Sequence, residues 1–268
     1  MYIINLRQDG IDGNTFTETE QLFNLEHDKP IELISEAELL QSVKQKKILI
    51  LLHGFHQSIF DVLSFYISME ELHRKYLSVH YDVVVGIIWP GGESKFDNYR
   101  PKQNVKKAGS YLQSWIYHLT KSQCTIDVMS HGMGSLLVYH SMDLIQENFS
   151  IRNVFSIGAG IPQEVLTNDL QIERVQHRVE KIYLFYIENE HTRTDLSQIE
   201  NQNASENEES MNWEEELTKK KKVNLINITE KISNFPGYQS LIVITECIDK
   251  LLSDSRYPQH ISSSVWNQ

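Results

Sequence analysis

Cysteine is scarce in this chain. Cys124 and Cys247 are the only two in 268 residues, too few for a disulfide framework and not spaced as a metal cluster. Cys124 leads into an apolar strand and Cys247 lies in an apolar helical stretch, so both are expected as buried, inert thiols. Basic charge is also short. With 25 Lys and Arg against 36 Asp and Glu, the formal net charge is -11, which excludes a general grip on nucleic-acid phosphates. No run of about 18 apolar residues occurs, so no membrane span is expected. The start, Met1-Tyr2-Ile3-Ile4-Asn5-Leu6-Arg7, lacks the basic opening and long apolar core of a secretory signal, and a cytoplasmic location is the expectation. Missing too are a Gly-x-x-x-x-Gly-Lys phosphate loop and a metal-binding His-Glu-x-x-His. No cofactor is expected.

What the chain does have is a rhythm. Hydrophobic residues make up 40% and charged residues 23%, the balance of a soluble globular protein. The length suffices for one large domain with a substantial core. Short apolar runs alternate with helix-length amphipathic stretches, the pattern of a parallel sheet covered on both faces. Strands are expected at Tyr2–Leu6, Ile31–Ile34, Ile48–Leu52, Val83–Ile88, Ile126–Met129, Val154–Ile157, Ile182–Ile187 and Val223–Ile228. Helices are expected over Glu36–Lys44, Ile59–Leu72, Val105–Leu119, Gly134–Gln146, Gln171–Val179 and Tyr238–Leu252. Ser35 or Glu36 begins the first of them. The expectation is one α/β domain with a mostly parallel sheet of about eight strands.

Residues Thr194–Lys222 break the rhythm. Glu200, Glu206, Glu208, Glu209 and Glu214–Glu216 stand among Asn, Gln and Ser, and the segment closes on Lys219–Lys222. With so few apolar side chains to anchor it, this acidic insertion is expected as a mobile, solvated surface loop. A docking arm and a lid over the site are the sharper alternatives.

Two strand ends carry the chemistry. Ile48-Leu49-Ile50-Leu51-Leu52-His53-Gly54-Phe55-His56 is a buried strand ending in His-Gly. Gly54 permits a sharp turn that aims an amide, that of Phe55, at a developing oxyanion. Downstream, Ile126-Asp127-Val128-Met129-Ser130-His131-Gly132-Met133-Gly134-Ser135 runs from an apolar strand through a glycine-bearing turn into an apolar helix. That is the layout of a Gly-x-Ser-x-Gly nucleophile elbow. His131, Met133 and Gly134 stand where the pattern wants them, with the Met133 amide as second oxyanion donor. The serine is absent, and Gly132 occupies its position. Ser130 at the strand end and Ser135 in the first helical turn are displaced from it, so neither is expected to substitute.

These motifs resemble a bacterial branch of the α/β-hydrolases that holds esterase/lipase-like proteins. His53-Gly54-Phe55-His56-Gln57-Ser58-Ile59-Phe60-Asp61 is similar to its His-Gly-Tyr-Asn-Thr-Ser-Phe-Glu-Asp run. Val85-Gly86-Ile87-Ile88-Trp89-Pro90-Gly91-Gly92 is similar to its strand ending in Trp-Pro-Ser-Gly. Ser130-His131-Gly132-Met133-Gly134-Ser135 is similar to its Thr-His-Ser-Met-Gly-Asn elbow. The likeness runs from about Ile48 to Leu166 and leaves out the acidic insertion. It implies an α/β-hydrolase fold, an acid after the sixth strand and a histidine near the C-terminus. Glu190 stands in the acid's place, with Asp195 and Glu188 as rivals. His260 stands in the base's place, in the chain order elbow, acid, histidine. His53, Gly54, His56, Trp89 and His131 are expected to line the pocket.

Four functions follow from this reading. The first is a pseudohydrolase that binds a small acyl-type ligand or a protein partner. The second is a genuine serine hydrolase of carboxylic or thio esters, seen in a nucleophile-less form. A third has Glu190 and His260 activate water directly. The fourth is an interaction module that uses the acidic insertion. The first is favoured, because glycine adopts the left-handed elbow without strain yet leaves no atom to form an acyl-enzyme.

Overall fold

In the structure, a computed structural model, the residues described are 1–8, 15–25, 31–55, 57–92, 99–144, 151–158, 177–186, 222–229, 231, 238–253 and 260–261. Their strands are β1 Tyr2–Arg7, β2 Phe16–Asn24, β3 Glu32–Ile34, β4 Lys47–Leu52, β5 Val83–Ile88, β6 Thr125–His131, β7 Ile151–Ile157, β8 Val179–Tyr186, β9 Val223–Asn227 and β10 His260–Ile261. The helices are α1 Glu36–Val43, α2 Ile59–Leu72 with a π-helical turn His73–Leu77 behind it, α3 Tyr99–Lys121, α4 Gly134–Leu144 and α5 Tyr238–Ser253. All ten strands join one sheet in the order β10-β9-β8-β7-β6-β4-β5-β1-β2-β3. Pairing is parallel from β10 to β1, and only β2 and β3 add on antiparallel.

The alternation within each strand explains the layers. Ile48, Ile50 and Leu52 of β4 face a core built with α1, α3 and α4, among them Leu39, Leu112, Ile116 and Leu137. Leu49 and Leu51 face the opposite core, built with α2 and α5 through Val62, Tyr66, Met69, Ile244 and Ile248. A parallel strand buried on both faces has no polar side to show. Ser35 and Ser58 each close a capping box, with Glu38 and Asp61 respectively, which fixes where α1 and α2 begin.

The sheet exceeds the expected strand count by two. β2 reads Phe16-Thr17-Glu18-Thr19-Glu20-Gln21-Leu22-Phe23-Asn24, with one buried residue, Leu22. Its pairing to β1, rather than an apolar pattern, holds it. β10 is two residues long and pairs with β9. Helix α3 begins at Tyr99 rather than Val105. Val179 opens β8 instead of closing a helix, and the expected helix residues 171–176 lie outside the described residues, as does the insertion up to residue 221.

Candidate active site

From β4 the chain crosses to β5 on one side and then to β6 on the other, so the order β6-β4-β5 reverses direction at β4. In open α/β sheets such a reversal leaves a crevice beyond the carboxyl ends of the two strands. The His53-Gly54 turn follows β4 and the Gly132 turn follows β6, so the two motifs meet there by topology. Gly132 has φ +53°, the left-handed conformation of an elbow. Its N–H donates to the Ile157 carbonyl at 3.0 Å, and its own carbonyl accepts from the Ser135 N–H at 3.0 Å, starting α4. The Met133 N–H has no acceptor among the described residues.

Contact at the turn is tight on one side and open on the other. A Cβ on Gly134 would stand 2.5 Å from the His53 carbonyl oxygen and 3.0 Å from that of Leu52. One on Gly54 would meet the His131 ring at 2.9 Å. Among the described residues, one on Gly132 would meet only the Gly54 Cα, at 3.8 Å. Among the described residues, then, nothing crowds a Cβ at the nucleophile position, and the left-handed turn is the cost they impose on filling it. Gly134→Ala is expected to lower stability by about 2 kcal/mol through overpacking on backbone. Gly132→Ala should cost about 1 kcal/mol, from the turn conformation alone. Urea midpoints of the two variants measure the difference, and the opposite ranking would contradict the packing described.

Ser130 and Ser135 lie under this turn. Their hydroxyls are 2.9 Å apart, and both residues are buried. Neither side chain reaches the space above Gly132.

Two expected pocket residues prove to be core. His53 is 1% exposed and Trp89 is 0% exposed, so neither lines an open pocket. Their rings stack at 5.5 Å. The Trp89 backbone N–H donates to His53 Nε2 at 3.0 Å, and the indole N–H donates to the His53 carbonyl at 2.9 Å. Burial away from water holds the His53 imidazole neutral, its pKa pushed down to about 3. Desolvation also depresses His131, to about 4, although part of that residue still meets solvent. Packed against Gly54 and next to Gly132, His131 does border the crevice. His56 lies outside the described residues.

Of the expected acid and base, the described residues place only the backbone of His260. Glu188, Glu190 and Asp195 fall outside the described residues. His260 sits in β10, in register with Leu225 of β9, and through Leu184 and Ser156 with Ser130 of β6. Four strand spacings separate the His260 backbone from β6, about 19 Å at the usual strand separation. Instead of following the sheet as a loop residue, His260 extends it. Among the described residues no group of His, Cys, Asp and Glu is arranged to hold a metal ion. A cavity of ≈ 490 Å³ opens between α3 and the strands β2 and β3, lined by Glu20, Glu36, Tyr111, Trp115 and His118 among others. It is remote from the elbow and belongs to the β2 edge.

A family described as alpha/beta hydrolase of unknown function (DUF900) matches residues 32–234, which include both turns. The chain belongs to this family. Its fold is the α/β-hydrolase fold. Solved structures similar to this α/β-hydrolase include the ydeN gene product of B. subtilis, at 9% identity and TM-score 0.46, over 78% of this chain and 100% of that one. A lipase-esterase related protein from Clostridium acetobutylicum matches at 13% identity and TM-score 0.42, over 77% and 93%. Carboxyl esterase 2 from the fungus Tuber melanosporum matches at 11% identity and TM-score 0.46, over 92% and 90%. A comparison with curated proteins found no match. No helix among the described residues is long and apolar enough to cross a membrane.

Proposed function

We propose that this α/β-hydrolase forms no acyl-enzyme and is a pseudohydrolase, keeping the crevice between β4 and β6 to bind a small acyl-type ligand or a protein partner. The supporting observation is the elbow itself. Gly132 holds the left-handed turn, and the two neighbouring serines are buried, with one hydroxyl hydrogen-bonded to the other. Without an oxygen above the turn, no covalent intermediate forms. In subtilisin, removal of the nucleophile costs on the order of 10⁶ in turnover, and what remains over water comes from the oxyanion hole and binding. The Phe55 and Met133 amides are the donors that would hold a ligand oxygen in this crevice.

That no described residue crowds a Cβ at Gly132 favours one second reading, a genuine serine hydrolase of carboxylic or thio esters represented by a nucleophile-less form. Labelling with a fluorophosphonate and hydrolysis of short p-nitrophenyl esters separate the two. The Gly132 protein is expected to take no label and to show no turnover above buffer. Labelling of any serine in it, or turnover that disappears in His260→Ala, would sink the pseudohydrolase reading. Labelling and turnover that arise only in Gly132→Ser would favour the second.

A further inference from the structure

We infer that His53 and Trp89 are a positioning pair: together they set the direction of the Phe55 amide beside Gly132. The inference rests on the crevice being a ligand site, and it adds a device that neither motif states. Three hydrogen bonds carry it. The Trp89 backbone N–H donates to His53 Nε2 at 3.0 Å. A ring nitrogen that accepts carries no proton, so in the neutral imidazole the proton lies on Nδ1. Nδ1 stands 2.7 Å from the Gly54 carbonyl oxygen and donates to it.

That carbonyl and the Phe55 N–H belong to one planar trans peptide and point in opposite directions. Holding the Gly54 oxygen against the buried ring therefore turns the Phe55 N–H away from the core. The preceding peptide is held as well, because the His53 carbonyl accepts the Trp89 indole N–H at 2.9 Å. Two successive peptide planes at the end of β4 are thus set by one side-chain pair. The pair itself is anchored on β4 and on the exit of β5, adjacent strands of the sheet. Gly91 completes the cradle. A Cβ there would stand 3.1 Å from the Gly54 oxygen and 3.1 Å from the Trp89 ring. The held turn is next to the elbow, with Gly54 Cα 3.8 Å from where a Cβ on Gly132 would be.

A merely structural histidine would stabilise the core without steering an amide. The two roles separate by substitution. His53→Asn keeps an N–H donor close to the place of Nδ1, and His53→Leu removes it. Trp89→Phe removes the indole donor and keeps the ring and the backbone N–H. In ¹⁵N-labelled full-length protein, the Phe55 amide shift and its hydrogen-exchange rate report the peptide orientation without any ligand. They are expected to move in His53→Leu, to move less in Trp89→Phe and to stay near native in His53→Asn. All three variants should retain the circular dichroism of the fold. Titration with butyrate as probe then reads the site. Phe55 and Met133 should shift together in the native protein. In His53→Leu the Phe55 response should be lost and the dissociation constant should rise about tenfold, the loss of one hydrogen bond.

A folded His53→Leu whose Phe55 amide is native in shift, exchange and butyrate response overturns the positioning role. So does a Phe55 amide disturbed equally by His53→Asn and His53→Leu. Failure of butyrate to shift either amide in the native protein counts against the ligand site instead, and the ligand-free Phe55 measurements still decide the positioning role.

Discussion

Asp127→Ala should lower the unfolding free energy by about 3 kcal/mol, the cost of leaving several buried donors without their charged acceptor. Asp127 lies in the first half of β6, far from the elbow, and is fully buried. Its Oδ1 accepts from Arg152 Nε at 3.0 Å and from the Asn153 backbone N–H at 3.0 Å. Its Oδ2 accepts from Tyr81 Oη at 2.6 Å, Arg152 Nη2 at 2.8 Å and Asn153 Nδ2 at 2.9 Å. Burial and the adjoining carboxylate raise the Tyr81 phenol well above its usual pKa, so it stays a donor. Alanine strands every one of these donors in or near the core at once. Arg152→Ala is expected to cost less, because Arg152 is partly solvent-exposed and Asp127 keeps its other three donors. Guanidinium midpoints at a fixed m-value read both. A loss below about 1 kcal/mol for Asp127→Ala would show that β6 and β7 do not depend on this network.

Acid should destabilise the fold by about 3 kcal/mol between pH 6.5 and pH 4 through His53 alone. Unfolded, His53 takes up a proton near its model value of 6.5. Folded, it refuses one until about 3. Protons thus favour the unfolded chain throughout that interval. The stability is complete above pH 6.5 and is lost as pH falls toward 3, at about 1.4 kcal/mol per pH unit. His131, depressed to about 4, acts in the same direction, with a smaller share because part of it meets solvent. Glu20, raised by burial and half-enclosed, works weakly against the trend. Denaturant midpoints at several pH values, compared between the native chain and His53→Asn, test this. The variant should show a slope reduced by close to one proton, and equal slopes would place the acid sensitivity elsewhere.

How much of the site was legible depended on whether its signal was local. The β4 run and the β6 run are continuous apolar segments ending in glycine turns, so their ends and their shared chemistry were readable from neighbouring residues. The missing hydroxyl at Gly132 was readable for the same reason. His53 and Trp89 were legible as motif members but not as core, because 36 residues separate them and their contact exists only once β4 and β5 pair. Asp127 gave no sign at all. One carboxylate in an apolar strand looks like an interruption until Tyr81, Arg152 and Asn153 arrive from other segments. His260 matched by chain order, and strand pairing put its backbone four strands from the elbow.

By itself, then, the sequence determined the local grammar: alternating apolar strands and amphipathic helices, a first helix starting at Ser35 or Glu36, and a glycine where a hydrolase carries its serine. These follow from backbone conformation and burial, which neighbouring residues encode. Only the tertiary structure decided which side chains face the crevice and which lie beneath it. That choice depends on contacts between strands distant in the chain. It buried His53 and Trp89, joined Ser130 to Ser135, and among the described residues left a Cβ at Gly132 uncrowded.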